Sequence, residues 1–87
     1  MSAVVTVYMR PGCHLCEDAL AALHAVALAD PFTLRVVDIE GDDALHRRYL
    51  ERIPVIALDG EEIADFALDA DDLRRRLRAR ADGPGAR

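Results

Sequence analysis

The segment Tyr8-Met9-Arg10-Pro11-Gly12-Cys13-His14-Leu15-Cys16 joins an apolar run to a helical one and holds both cysteines of the 87-residue chain. Upstream, Val4 to Met9 reads as a buried strand, Pro11-Gly12 as a turn, and Leu15 to Leu28 as a helix. Cys13 therefore falls at a helix N-terminus. There, unpaired backbone N–H groups and the positive end of the helix dipole favour an anion, which lowers a thiol's pKa and raises its thiolate fraction. Cys13 is the better nucleophile of the two.

At 3.6 residues per turn, Cys16, Leu20, Leu23 and Ala27 form one stripe, expected to face a sheet, so Cys16 is shielded one turn below Cys13. An outer thiolate above an inner thiol suits disulfide exchange: the outer sulfur attacks a substrate disulfide and the inner one resolves the mixed disulfide. Two other readings compete. A structural zinc takes four ligands, commonly from two cysteine pairs, and a second pair is absent here. Passive core cysteines are the other, against which Gly12 and the helix tip argue for exposure of at least one. No metal site is expected.

Length and composition narrow the function classes. A chain of 87 residues makes one small domain, able to bury about 60 to 65% of its unfolded surface. With 52% hydrophobic residues it can build a core without staples. Two cysteines are too few for a secreted disulfide scaffold, and the first twenty residues lack the pattern of a signal peptide. No run approaches the roughly 18 apolar residues of a membrane span. A cytoplasmic domain without membrane contact is the expectation. The net charge of −5, with arginine as every Lys/Arg base, disfavours nucleic acid, whose phosphates want a basic footprint.

Working outward, residues 3 to 39 read as strand, helix and parallel strand, with Pro31 stopping the helix and Phe32 to Ile39 as the second strand. Glu17, Asp18 and His24 lie off the apolar stripe. The two acids suit the helix start, yet a negative charge near Cys13 also opposes thiolate formation. Gly41 opens a shorter helix, with Asp42 as cap and Ala44, Leu45 and Leu50 facing inward. Val55 to Leu58 is a third strand, and Asp59-Gly60 signals a type I′ turn that returns Glu61 to Phe66 as an antiparallel fourth. Asp69 caps the last helix, Leu68 staples onto Leu73, and Leu73 and Leu77 face the sheet. Arg74, Arg75, Arg76, Arg78 and Arg80 on that helix read first as a solvated face and second as a docking patch for an acidic partner. The domain is expected over residues 1 to 80, with residues 81 to 87 as a flexible tail.

The order β-α-β-α-β-β-α, with C-x-x-C opening the first helix and Pro54 opening the third strand, resembles a minimal thioredoxin fold: an α/β domain with a four-stranded mixed sheet flanked by helices. Within that superfamily the chain resembles glutaredoxin over about residues 3 to 80. The run from Tyr8 to Cys16 is similar to the glutaredoxin stretch in which an aromatic residue and a lysine precede C-P-Y-C, with Arg10 in the lysine's place. Cys13-His14-Leu15-Cys16-Glu17-Asp18-Ala19 is closer still to a bacterial glutaredoxin-like branch, which Arg48-Tyr49 also fits, and Ile53-Pro54-Val55 resembles the family's cis-proline loop. The chain departs from glutaredoxin in having His14 and Leu15 between the cysteines, and Leu68-Asp69 where a glycine pair admits glutathione.

The resemblance implies a redox-active disulfide between Cys13 and Cys16, both catalytic, with Arg10, His14, Leu15, Ile53 and Pro54 as substrate-binding residues. Arg10 would steer an anionic thiol or carboxylate toward Cys13. His14 either stabilises the neighbouring thiolate or points to solvent. A cis Ile53-Pro54 bond would turn the Ile53 backbone toward the sulfurs to pair with an extended substrate. The implied activity is dithiol exchange by a monomer, with no bound cofactor, a disulfide-containing protein or small thiol as partner, and a low-molecular-weight thiol such as glutathione as cosubstrate. A non-catalytic interaction module and an iron–sulfur-bridging glutaredoxin are the alternatives.

Overall fold

A computed structural model describes residues 3–82. Four strands, β1 (Val4–Met9), β2 (Thr33–Asp38), β3 (Val55–Leu58) and β4 (Glu61–Asp65), form one sheet in the order β2-β1-β3-β4. β2 runs parallel to β1, while β3 is antiparallel to both β1 and β4. Three helices, α1 (His14–Ala29), α2 (Asp43–Tyr49) and α3 (Ala70–Asp82), and a 3-10 turn at Ile39–Gly41 complete the fold. This is the mixed-sheet α/β architecture of the minimal thioredoxin fold.

Alternation along the central strands divides the core into two layers. Val5 and Val7 of β1, with Ile56 and Leu58 of β3, pack against Ala19, Leu23 and Val26 of α1 and Leu73 and Leu77 of α3. On the opposite face Tyr8 and Val55 meet Ile39, Leu45 and Tyr49. β1 and β3 are thus covered on both sides, which explains why Val55 to Leu58 is buried throughout.

Local signals account for the element ends. Asp42 Oδ1 accepts from Ala44 N–H at 2.8 Å and Leu45 N–H at 3.1 Å, capping α2. Asp69 Oδ1 accepts from Asp72 N–H at 3.0 Å at the start of α3. Asp59 and Gly60 sit at φ 50° and 90°, the left-handed pair that a type I′ hairpin needs, and Leu58 pairs with Glu61 across it. Asp59 also fixes the turn to β1: its N–H donates to Val4 O at 2.8 Å and its Oδ1 accepts from Val4 N–H at 3.0 Å.

Several sequence expectations shift. α1 begins at His14 and buries Cys16, Ala19, Leu23 and Val26, so its inward stripe is rotated from the expected one, and Leu20 and Ala27 lie at its margin. In a helix so rich in alanine and leucine, several phases of a 3.6-residue pattern fit equally well. Phe32 and Ile39 fall outside β2, and Ile39 opens the 3-10 turn. Ala44 is exposed, and Tyr49 is the buried residue of α2. β4 stops at Asp65, one residue before Phe66. α3 runs to Asp82, into the segment expected as a tail, and residues 83–87 lie outside the described ones. Among the described residues, no helix is long and apolar enough to cross a membrane.

Candidate active site

β1 ends at Met9, the chain turns through Pro11-Gly12, and Cys13 becomes the N-cap of α1. Gly12 has φ +78°, a conformation that favours a residue without a Cβ. Cys13 takes an extended conformation (φ −91°, ψ 112°), and its carbonyl accepts from Glu17 N–H at 3.1 Å to start the helix. Its Sγ accepts from Cys16 N–H at 3.2 Å, filling the role a serine or aspartate oxygen usually plays at an N-cap.

The two cysteines form a disulfide with their Cα atoms 5.2 Å apart. Their environments differ. Cys16 is fully buried, while Cys13 is partly open to solvent at the tip of the helix. In the reduced protein, one sulfur would therefore have access to a partner and a backbone donor suited to a thiolate, and the other would be shielded by the core.

The residues expected to bind substrate differ in exposure and in the partners that hold them. Leu15, between the cysteines, is 47% exposed. His14 is exposed, with Nε2 lying 3.6 Å from Asp18 Oδ2 one turn on. Arg10 is half-exposed and its guanidinium lies 3.1 Å from Glu40 Oε2. The Ile53–Pro54 peptide is cis, and Pro54 is buried. Among the described residues, the Ile53 N–H and C=O bond to no other backbone group. β3 brings this loop to the cysteine end, since Val55 pairs with Tyr8 near the end of β1.

Two features at this end escaped the sequence reading. Phe66, just past β4, has φ 66° and is 51% exposed, and its N–H donates to Pro54 O at 2.9 Å. A bulky residue in the left-handed region costs about 1–3 kcal/mol, so the surrounding bonds must impose the conformation. The second is the network behind the loop. Tyr49 stacks on Tyr8 with ring centroids 4.4 Å apart and donates its hydroxyl to Glu62 Oε2 at 2.9 Å. Arg52 reaches Glu62 Oε1 at 2.7 Å and Asp65 Oδ2 at 3.3 Å, bridging the turn before Pro54 to β4. The Arg52 hydrogen bond, followed by that of Tyr49, holds the Glu62 carboxyl below the usual carboxylate range. Burial and the same Glu62 push the Tyr49 phenol up. No local periodicity marks Glu62, because its partners come from α2 and the loop after it.

The far end of the molecule is different in character. An opening of about 410 Å³ there is lined by Leu58, Asp59, Glu61, Arg76, Ala79 and Arg80. The α3 arginines mostly pair with acids: Arg74 with Asp71 at 3.1 Å, Arg76 with Asp72 at 2.8 Å, Arg78 with Asp30 at 3.2 Å, and Arg80 with Asp59. The first two lie within α3, and the last two tie it to the end of α1 and to the β3–β4 turn, giving the arginine run a structural use.

Comparisons with known proteins agree with this geometry. Residues 4–78 match the family model described as Glutaredoxin-like domain (DUF836). Protein Ne2328 from Nitrosomonas europaea is similar at 34% identity and a TM-score of 0.79, with 88% of this chain and 93% of that chain covered. The crystal structure of target protein XcR50 from X. campestris is similar at 41% identity and a TM-score of 0.69, over 86% of this chain and 96% of that chain. A mutant thioredoxin from Halobacterium salinarum, at 20% identity and a TM-score of 0.61 over 90% of this chain and 74% of that chain, shares the fold. No curated protein matches. With a paired C-x-x-C at the tip of α1 and a family match over nearly the whole described chain, the protein belongs to the glutaredoxin-like family of the thioredoxin superfamily.

Proposed function

We propose that this protein is a dithiol thiol–disulfide oxidoreductase. The observation that carries the reading is the asymmetry of the pair: a partly open Cys13 with a backbone donor on its sulfur, disulfide-linked to a fully buried Cys16. The Cys13 thiolate attacks one sulfur of a substrate disulfide, forming a mixed disulfide and expelling the first substrate thiolate. Cys16, after losing its proton, attacks the Cys13 sulfur and expels the second, leaving the internal disulfide and a substrate reduced by two electrons. A dithiol reductase or two equivalents of a low-molecular-weight thiol return the pair to the reduced state. The cycle uses no bound cofactor and proceeds in a monomer in the cytoplasm.

Exposed Leu15 forms a wall of the substrate site in this reading, Pro54 shapes the adjoining loop from a buried position, and the unpaired Ile53 N–H and C=O offer a place for an extended substrate segment to add as a strand. Phe66, exposed beside Pro54, adds an apolar contact. Replacing Cys16 by serine removes the resolving thiol and leaves the attacking one. Reduced Cys16→Ser protein mixed with excess hydroxyethyl disulfide is expected to gain one mercaptoethanol per chain on Cys13, seen by intact mass and reversed by dithiothreitol. A chain that stays unmodified would contradict the assignment of Cys13 as the attacking group.

A further inference from the structure

Resting on that reading, the charges around the disulfide narrow the kind of substrate it takes. Glu17 is four residues on from Cys13, on the same face of α1, exposed, and without an ion-pair partner among the described residues. Asp18 follows it, Asp38 ends β2 opposite Met9, and Glu40 lies in the 3-10 turn that follows. The cations nearby are already engaged: Arg10 with Glu40 at 3.1 Å, and Arg52 with Glu62 at 2.7 Å and Asp65 at 3.3 Å. His14 faces Asp18. On α3, Arg74, Arg75 and Arg76 are held by Asp71 and Asp72 of the same helix, and Arg80 reaches Asp59 of the β3–β4 turn at the opposite end. The substrate carboxylates that Arg10 was expected to receive therefore meet a guanidinium held by an acid, beside an unpaired Glu17.

We infer that the substrate disulfide carries positive charge beside the bridge, as in a basic protein segment, and that Glu17 and Asp18 set this preference while anionic disulfides are disfavoured. Such steering changes encounter rates by about tenfold or more at low ionic strength and is lost when salt screens it. The sign follows from Glu17, one turn on from Cys13 on its face, with Asp18 beside it, and the thiol chemistry is the same for every substrate.

The test uses the whole reduced protein at pH 7.5 and follows oxidation of its dithiol by three small disulfides: dicationic cystamine, neutral hydroxyethyl disulfide and anionic oxidised glutathione. Each rate is divided by that of dithiothreitol with the same disulfide, which removes differences in leaving-group chemistry. At low ionic strength the normalised rate with cystamine is expected to exceed that with oxidised glutathione by about tenfold, and the ratio should approach unity in 1 M salt, where the Debye length is about 3 Å. The double variant Glu17→Gln, Asp18→Asn should reduce the ratio severalfold at low salt. Because the ratio is taken within one protein, any change in thiolate fraction cancels. A ratio at or below unity, or one insensitive to salt or to the double variant, would overturn the inference while leaving the exchange activity intact. Failure of all three disulfides to oxidise the pair would overturn the functional reading, and the inference with it.

Discussion

Replacing Cys13 by serine should abolish disulfide exchange, lowering the rate on the order of a thousandfold or more, because a serine hydroxyl stays protonated at neutral pH and does not exchange with disulfides. The structure makes this substitution unusually clean. Cys13 is the N-cap of α1, and its sulfur accepts from Cys16 N–H. Serine is among the preferred N-cap residues, and its oxygen can accept the same bond. The helix should therefore persist, and the reduced wild type and the variant should unfold at similar urea concentrations. Retained structure with lost exchange places the chemistry on the sulfur. Full exchange activity in Cys13→Ser would remove the basis for the proposed mechanism.

The second large effect is expected in the core beneath the site. Leu23 is fully buried between α1 and the sheet, in the same cluster as Val5, Val7, Ile56 and Leu73. Truncating it to alanine removes buried apolar surface and leaves a cavity, a change that costs about 2–5 kcal/mol. A domain of 87 residues has a total stability of about 4–13 kcal/mol on a per-residue scale. Leu23→Ala is therefore expected to lose a large fraction of that stability, read as a lower urea midpoint with little change in slope. Leu28, on the same helix but 89% exposed, is the control, and Leu28→Ala should change stability by no more than about 0.5 kcal/mol. Equal shifts for the two variants would mean that α1 packs on a different face from the one described.

How much of this was legible in the sequence follows from the range of each interaction. The turn at Asp59-Gly60, the caps at Asp42 and Asp69 and the start of α1 beside Cys13 depend on residues within a few positions of one another, and each was readable as a local pattern. The inward face of α1 was not. Its alanines and leucines satisfy more than one helical phase, and only contact with Val5, Val7 and Ile56 selects Ala19 and Val26 over Leu20 and Ala27. The Tyr8–Tyr49 stack and the Glu62 bonds to Tyr49 and Arg52 join β1, α2, the following loop and β4, so they exist only once the sheet has formed. Phe66 looked like the end of a strand. Its left-handed backbone and bond to Pro54 O arise where β4 leaves the sheet, just past the Val55–Asp65 pairing, and depend on β3 lying alongside. Arg10 could be placed near Cys13 from its position alone, but its ion pair with Glu40 depends on β2 ending beside β1.

The central claim, that Cys13 and Cys16 form a working redox pair, is tested most directly by its reduction potential. The protein would be equilibrated in thiol–disulfide buffers of set potential, its free thiols alkylated, and the two populations separated by mass. A reversible two-electron transition is expected, with a midpoint in the range of glutaredoxins and thioredoxin, about −200 to −270 mV. Cysteines that stay reduced in every buffer, or a transition that does not reverse, would contradict the account.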